Sequence, residues 1–331
     1  MSRCTVVITE PEYLKAKEIF AAAGDLTPVV VAPPEAEVAR AVQLHGARAV
    51  ILGVERYVDA LYAALPKGGV IARFGVGHDG IDKGKASAAG LLVTNTPGVL
   101  EDAVAEHALA LLLGVCRNLA SFVRSLDQRR WAPSQGIELR GRCLAVIGCG
   151  AIGRRVARTA ALGFGMTVVG LEPRRETADE LRQNWGVQRL TDDFAEAVRA
   201  ADVVSLHLPS NAETRHLINA QTLACMQPGA ILINTARGAL VDEVALYDAL
   251  VAGRLSAAGL DVFEAEPYIP RLPDKDLRTL PNVLLTPHVS SGTREACARV
   301  ATACIANLRS AAVGRYEAMS LLNPEALARL G

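Results

Sequence analysis

Three short segments carry the side chains best suited to chemistry. They are Thr235-Ala236-Arg237-Gly238, Asp261-Val262-Phe263-Glu264-Ala265-Glu266 and Pro287-His288, each at the end of an apolar run of strand type, 230–234, 257–262 and 283–286. In parallel α/β sheets, ligands gather beyond the carboxyl ends of the strands, so an arginine, a carboxylate and a histidine would converge at one edge. A guanidinium binds a carboxylate through two parallel hydrogen bonds, which lysine cannot imitate. A histidine takes a hydroxyl proton as hydride leaves the adjoining carbon, and returns it in the reverse direction. A carboxylate beside the imidazole holds its orientation and favours the charged form. These roles suit the oxidation of a 2-hydroxy acid. Singly, each residue has a blander reading, as a surface arginine, a solvated loop acid or a satisfied loop histidine. Their joint position at successive strand ends argues for a shared site. His207, inside an apolar run, reads as structural.

The element that must position these groups is the stretch 143–172. An apolar run, Cys143-Leu144-Ala145-Val146-Ile147, leads into Gly148-Cys149-Gly150-Ala151-Ile152-Gly153, a helical pattern to residue 162, and a second apolar run, 166–171, ending on Glu172. This is strand, glycine turn, helix, strand and acid, the unit that binds dinucleotides. Gly148 permits the tight turn, Gly150 removes the Cβ that would hold the backbone off a pyrophosphate, and Gly153 lets the helix lie close on the sheet. The helix N-terminus offers N–H groups and partial positive charge to the phosphates. Glu172 lies 19 residues past Gly153 (172 − 153), near the spacing of the acid that holds ribose hydroxyls.

The rest of the chain alternates in the same way. Strand patterns at 5–8, 29–31, 49–52, 70–74 and 91–94 are separated by helical patterns near 12–23, 35–45, 58–64 and 83–89. Such alternation implies a parallel sheet with helices on both faces. Asn95-Thr96-Pro97-Gly98 punctuates the chain as a hinge. An almost wholly apolar helix near 101–119 follows, then a polar, irregular stretch with Trp131 as its anchor. Further strands fit 187–190 and 203–208, and helices fit 193–200, 222–225 and 243–252. A final helical pattern, 293–313, has no place in a completed sheet and is expected to return to the first domain. The fold class is thus α/β, with two doubly wound parallel-sheet domains. Residues 98–290 form a Rossmann domain inserted in a discontinuous domain of residues 1–97 and 291–331.

Composition narrows the classes. The chain has 331 residues, 35 basic and 35 acidic side chains, and half its residues apolar. Zero formal charge leaves no electrostatic footprint for nucleic acid or an anionic membrane. The seven cysteines form no CxxC pair, so neither a disulfide framework nor a metal site is expected. The polar start running into 5–8 reads as having no secretory signal, and the longest apolar segment, 103–116, is shorter than the roughly 20 residues a bilayer span needs. A cytoplasmic location is the expectation.

At these residues the chain resembles the D-isomer-specific 2-hydroxyacid dehydrogenase family, including its phosphoglycerate dehydrogenase-like members. The likeness runs nearly the whole length. Besides the glycine turn and strand ends, it includes Gly75-Val76-Gly77-His78-Asp79-Gly80-Ile81-Asp82, Asn95-Thr96-Pro97-Gly98 and Asp242-Glu243. The resemblance implies a catalytic triad of Arg237, Glu266 and His288, with backbone binding of the substrate carboxylate at Val76 and Gly77. It also implies NAD as cofactor, touched by Ala151, Ile152, Glu172, Thr235, Ala236 and Asp261, the last near the carboxamide. It further implies a homodimer joined through the NAD-binding domain. Two features depart from the pattern. Glu172 stands where the family usually has aspartate. The place of the arginine–serine pair of phosphoglycerate-using members reads Leu52-Gly53-Val54-Glu55-Arg56. No regulatory domain is expected after residue 331. The reading is an NAD-dependent oxidoreductase for a D-2-hydroxy acid or 2-ketoacid; the alternative is an NAD(H)-sensing corepressor or scaffold on the same fold.

Overall fold

The computed structural model describes residues 3–330, apart from the side chain of Arg175. Twelve strands follow in chain order: β1 Cys4–Thr9, β2 Leu26–Val31, β3 Ala49–Leu52, β4 Val70–Arg73, β5 Leu92–Thr94, β6 Cys143–Ile147, β7 Thr167–Leu171, β8 Arg189–Thr191, β9 Val203–Leu206, β10 Ala230–Asn234, β11 Leu255–Leu260 and β12 Val283–Leu285. The α-helices are α1 Glu10–Lys15, α2 Lys17–Ala22, α3 Glu35–His45, α4 Ala60–Ala64, α5 Lys83–Ala88, α6 Glu101–Cys116, α7 Leu119–Asp127, α8 Gly153–Phe164, α9 Ala178–Trp185, α10 Phe194–Val198, α11 Ala220–Cys225, α12 Glu243–Val251 and α13 Arg294–Ala312. Among the described residues, no single helix is long and apolar enough to cross a membrane.

The chain forms two compact units. One takes residues up to Leu100 together with those from Ser291 onward; the other runs Glu101–Ser290. The first unit is a parallel sheet in the order β2-β1-β3-β4-β5. One face packs on α3 and α4 through Val38, Val42, Leu61 and Ile71. α13 lies against β4 and α2, with Cys304 Sγ 3.6 Å from Arg73 O and Asn307 Nδ2 donating to Asn95 O at 3.2 Å. The chain after α13 then covers the edge of β5. Leu322 N donates to Val93 O at 2.8 Å, and the Asn323 amide accepts from Val93 N and donates to Leu91 O. An edge strand with its free N–H and C=O groups covered cannot recruit another chain.

The second unit is a seven-stranded parallel sheet, β12-β11-β10-β9-β6-β7-β8. Its strands alternate between two cores, as the period of two requires. In β6, Leu144 and Val146 join the core under α6 and α8. Ala145 and Ile147 join the core built with α10 and α12. α6, apolar almost all round, is a layer helix of this unit. A Cβ on Gly259 would lie 3.0 Å from Leu111 Cβ, and one on Gly114 would lie 2.5 Å from a Leu284 methyl, so glycines set the close fit of helix and sheet.

Three sequence expectations change. The helix at 12–23 is two helices, broken at Ala16 (φ −144°), with the Tyr13 and Phe20 rings stacked across the break. α9 was not expected, because its sequence is polar and buries Leu181 alone. Trp131 does not anchor its segment: it is 87% exposed, in a stretch without regular structure.

Candidate active site

In the second unit the strand order reverses between β6 and β9, where open parallel sheets bind their ligands. The glycine turn after β6 divides its labour as its spacing suggests. Gly148 takes φ +98°, and a Cβ on it would lie 2.8 Å from His207 O. A Cβ on Gly153 would lie 2.0 Å from Gly148 O, so the turn and helix are in backbone contact. Gly150 has nothing within 4 Å of where its Cβ would be. The N-cap of α8, Ile152, makes no side-chain cap; Arg154 N donates to Gly150 O at 3.1 Å and Arg155 N to Ile152 O at 3.0 Å, which leaves the N–H groups of the turn itself, up to Gly153, for a ligand. Open space, bare backbone and helix N-terminus fit a dinucleotide's diphosphate.

Glu172 follows β7 and is 7% exposed. Its carboxylate is already engaged: Oε1 accepts from Arg174 N at 3.1 Å and Nε at 2.8 Å, and Oε2 accepts from Nη2 at 2.9 Å. The Arg174 guanidinium, acting against burial, holds the Glu172 carboxyl below the usual carboxylate range. The Arg175 side chain lies outside the described residues. At the end of β10, Ala236 N donates to Asn234 Oδ1 at 3.0 Å, while the buried Thr235 Oγ1 has no partner among the described residues.

The adjacent strands β10, β11 and β12 bring the three chemical segments to one edge. Asn234 Nδ2 donates to Arg237 O at 2.9 Å, pinning the arginine's backbone, and Arg237 Nη1 donates to Ala236 O at 2.6 Å. The next residue, Gly238, lies against the second segment: a Cβ there would be 1.8 Å from the Phe263 carbonyl carbon. Glu266 and His288 meet directly, Nδ1 to Oε2, at 2.6 Å, and Glu266 Oε1 accepts from Phe263 N at 3.0 Å. His288 takes φ +52°, a left-handed conformation unusual outside glycine that its surroundings must enforce.

Asp261 supplies that enforcement. Its backbone oxygen accepts from His288 N at 2.8 Å. Its carboxylate accepts from Thr286 Oγ1 at 2.6 Å, Val289 N at 2.9 Å and Ser290 N at 2.8 Å. Burial alone would raise its pKa; the hydrogen bonds from His107, Thr286 and the two backbone N–H groups outweigh burial and hold it below the usual range. Asp261 has no exposed surface, and these bonds hold the His288 loop in place. His107 Nε2 completes the set, 2.9 Å from Thr286 Oγ1. Sequence reasoning gave His107 no role, although a histidine in an otherwise buried apolar helix was the available signal.

The remaining sequence candidates stand on other elements. Val76 and Gly77 belong to the first unit, in the loop after β4, where Val76 O accepts from Asn95 Nδ2 at 2.8 Å. His207 follows β9, with Nε2 2.8 Å from Ser205 Oγ and Nδ1 buried. Burial pushes its pKa down to about 4, so it is neutral near pH 7.

A family model described as D-isomer specific 2-hydroxyacid dehydrogenase, NAD binding domain, matches residues 109–290. The glyoxylate reductase of Thermococcus litoralis is 40% identical over 85% of this chain and 88% of its own length. Curated relatives named D-3-phosphoglycerate dehydrogenase are longer; the chain spans 42% of the one from Methanocaldococcus jannaschii and 52% of the one from Mycobacterium leprae. Among solved structures, D-lactate dehydrogenase of Aquifex aeolicus, complexed with NAD and lactic acid, is similar with TM-score 0.79 and 29% identity over 96% of this chain and 98% of that one. An NADPH-dependent glyoxylate/hydroxypyruvate reductase of Sinorhizobium meliloti is similar with TM-score 0.77 and 31% identity over 93% and 94%.

Proposed function

Because this chain belongs to the D-isomer specific 2-hydroxyacid dehydrogenase family, we propose that it reduces a small 2-ketoacid to the D-2-hydroxy acid, and catalyses the reverse oxidation, with NAD(H) preferred over NADP(H). The observation that carries this reading is the 2.6 Å contact between His288 Nδ1 and Glu266 Oε2 at the ends of neighbouring strands. With Nδ1 held by the carboxylate, Nε2 is the atom that passes a proton to or from the substrate oxygen. Arg237, its backbone pinned by Asn234, binds the substrate carboxylate by its fork. The nicotinamide, when bound, gives or takes the hydride at C2.

Gly148, Gly150, Ala151, Ile152 and Gly153 hold the diphosphate, Glu172 the ribose hydroxyls, and Thr235, Ala236 and Asp261 complete the cofactor contacts. The buried, unpartnered hydroxyl of Thr235 supports its share in this. In the first unit, a Cβ on Gly53 would meet both Glu55 Oε2, at 2.6 Å, and Glu12 Oε1, at 2.7 Å. Two carboxylates at that loop disfavour a phosphorylated substrate. A homodimer through the second unit is supported by exposed Leu119, Val123 and Leu126 along α7, with Trp131 beyond it; sedimentation of Leu126→Glu as a monomer is the expected result, and an unchanged dimer removes α7 from the contact.

The test is NADH consumption with a panel that includes glyoxylate, pyruvate, hydroxypyruvate and 3-phosphohydroxypyruvate. At least one uncharged-side-chain ketoacid should turn over, and none doing so defeats the reading. His288→Ala should lose roughly 100- to 10,000-fold in kcat. Arg237→Lys should lose about 1.5–3 kcal/mol in kcat/KM with NADH affinity near normal. Reduction needs the imidazole to give a proton from Nε2, and Glu266 holds the ring in place for that step. Glu266→Gln should lower kcat roughly tenfold or more with NADH affinity near normal; an unchanged kcat removes the pairing from the mechanism.

A further inference from the structure

The loops that end β10 and β11 touch backbone to backbone. A Cβ on Gly238 would lie 1.8 Å from the Phe263 carbonyl carbon and 2.5 Å from the Glu264 nitrogen, so only glycine allows the approach. The bond that fixes this contact comes from the next element. Glu243, first residue of α12, is 5% exposed, and its Oε1 accepts from Glu264 N at 2.7 Å. Glu264 is gripped at its other end as well. Its buried carboxylate lies 2.9 Å from His216 Nε2, 3.1 Å from Arg271 Nη1 and 3.5 Å from Arg215 Nη2. Two residues further on stands Glu266, on His288.

A buried carboxylate is an unfavourable way to accept one N–H, because a neutral amide would accept it without the desolvation of a charge. Among the described residues no partner reaches Glu243 Oε2. Burial, aided by the Glu264 and Glu266 carboxylates, pushes the Glu243 pKa up; the Glu264 N–H and Arg271 oppose the rise. Packing alone would be better served by an apolar side chain. What Glu243 alone provides is reach: from the segment that follows Arg237, it holds the backbone of the segment that carries Glu266.

We propose that Glu243 is a positioning residue for the Glu266–His288 pair, acting through the Glu264 amide. The proposal rests on the reading of that pair as the proton-transfer groups. Without the Glu243 acceptor, segment 263–266 keeps its side-chain anchors at His216, Arg215 and Arg271 and loses its backbone anchor. Glu266 then drifts from His288, and the imidazole loses its orientation. The glycine turn and Glu172 stand on β6 and β7 and are not part of this chain of contacts, so NADH binding is spared.

Three variants of the full chain test this. Glu243→Gln keeps the acceptor, Glu243→Leu removes it at similar size, and Glu243→Asp keeps the charge at the helix N-terminus but falls short. Gln should reduce ketoacid with kcat near wild type. Leu and Asp should lose roughly ten- to a hundredfold in kcat, as for a displaced catalytic group. NADH affinity, read by fluorescence titration, should stay unchanged in all three. Should Leu fail to fold, Asp carries the test. If Leu or Asp lowers the melting temperature while kcat stays in place, Glu243 is only structural and the proposal fails alone. If His288→Ala keeps its turnover, the pair itself has been misread, and the proposal falls with it.

Discussion

The two units share an architecture and differ at the place where it matters. Each is a parallel sheet whose strand order reverses beside its first strand, at β1/β3 in one unit and β6/β9 in the other. After β6 come glycines, open space at Gly150 and a helix N-terminus without a side-chain cap. β1 ends on Thr9 and leads into a helix, likewise without a side-chain cap, with Glu10 and Glu12 in its first turn. Glu12 is buried, hydrogen-bonded by Thr9 Oγ1 and paired with Lys15 at 3.1 Å. Across the reversal, burial and the Glu12 charge push the Glu55 pKa up, against its own backbone N–H and the cations of Arg73 and Lys15. One reversal point is lined with N–H groups, the other filled with carboxylates. Topology supplies the place for a ligand; the residues of the first turn decide which charge it accepts.

The sharpest way to break the comparison is to add the same methyl group to a glycine beside each reversal, Gly153 after β6 and Gly53 after β3. In Gly153→Ala the new Cβ would lie 2.0 Å from a backbone oxygen, Gly148 O, which has no room to yield. We expect a loss of about 3 kcal/mol or more, at the upper end for overpacking, read by denaturant melts. In Gly53→Ala the Cβ meets the carboxylate ends of Glu55 and Glu12, which turn aside, so the loss should be clearly smaller. Equal losses would mean that the two turns are packed alike.

Which parts were legible in the sequence follows from the same physics. The glycine turn, the acid after β7 and the strand-end residues were readable because backbone constraints and strand periodicity are local. Contacts between a side chain and a distant backbone group left no trace. Asn323 holds Val93 N across 230 positions, and Glu243 holds Glu264 N across 21; neither is a charge pair or a motif. The break at Ala16 has no glycine or proline to mark it, and α9 buries Leu181 alone, so no apolar stripe announced it. Asp261 likewise reaches Thr286, Val289 and Ser290 across 25 to 29 positions.

A second substitution sharpens what the glycine turn is for. Gly150 has nothing within 4 Å of its Cβ position and no positive φ, so Gly150→Ala should fold as well as wild type or gain up to about 1 kcal/mol from a less flexible unfolded chain. The same methyl enters the space where backbone must approach a pyrophosphate. NADH affinity should therefore fall at least about tenfold, or 1.4 kcal/mol, by fluorescence titration. Affinity and stability both unchanged would show that the diphosphate does not lie over Gly150.

The smallest effect concerns the acid at the far end of the turn. Glu172 is meant to accept ribose hydroxyls and to repel a 2′-phosphate, yet its oxygens are held by the Arg174 fork. The pair cuts both ways. Arg174 screens the charge that would reject the phosphate, and its side chain is 57% exposed, free to meet one. Turning to a phosphate, however, would leave the buried Glu172 carboxylate without its partner, which is unfavourable. NADH should therefore be preferred in the wild type, though less than a bare acid would achieve. Arg174→Ala should raise the ratio of kcat/KM for NADH over NADPH by only a few-fold, since a half-exposed ion pair is worth about 0.2–1 kcal/mol. The ratio should also depend on salt, because screening weakens exposed charges more than buried ones. A wild-type enzyme that uses NADPH as well as NADH would remove Glu172 from cofactor choice. A ratio that moves toward NADPH in Arg174→Ala would mean that the arginine's main part is to hold Glu172 in place for the ribose, not to screen it.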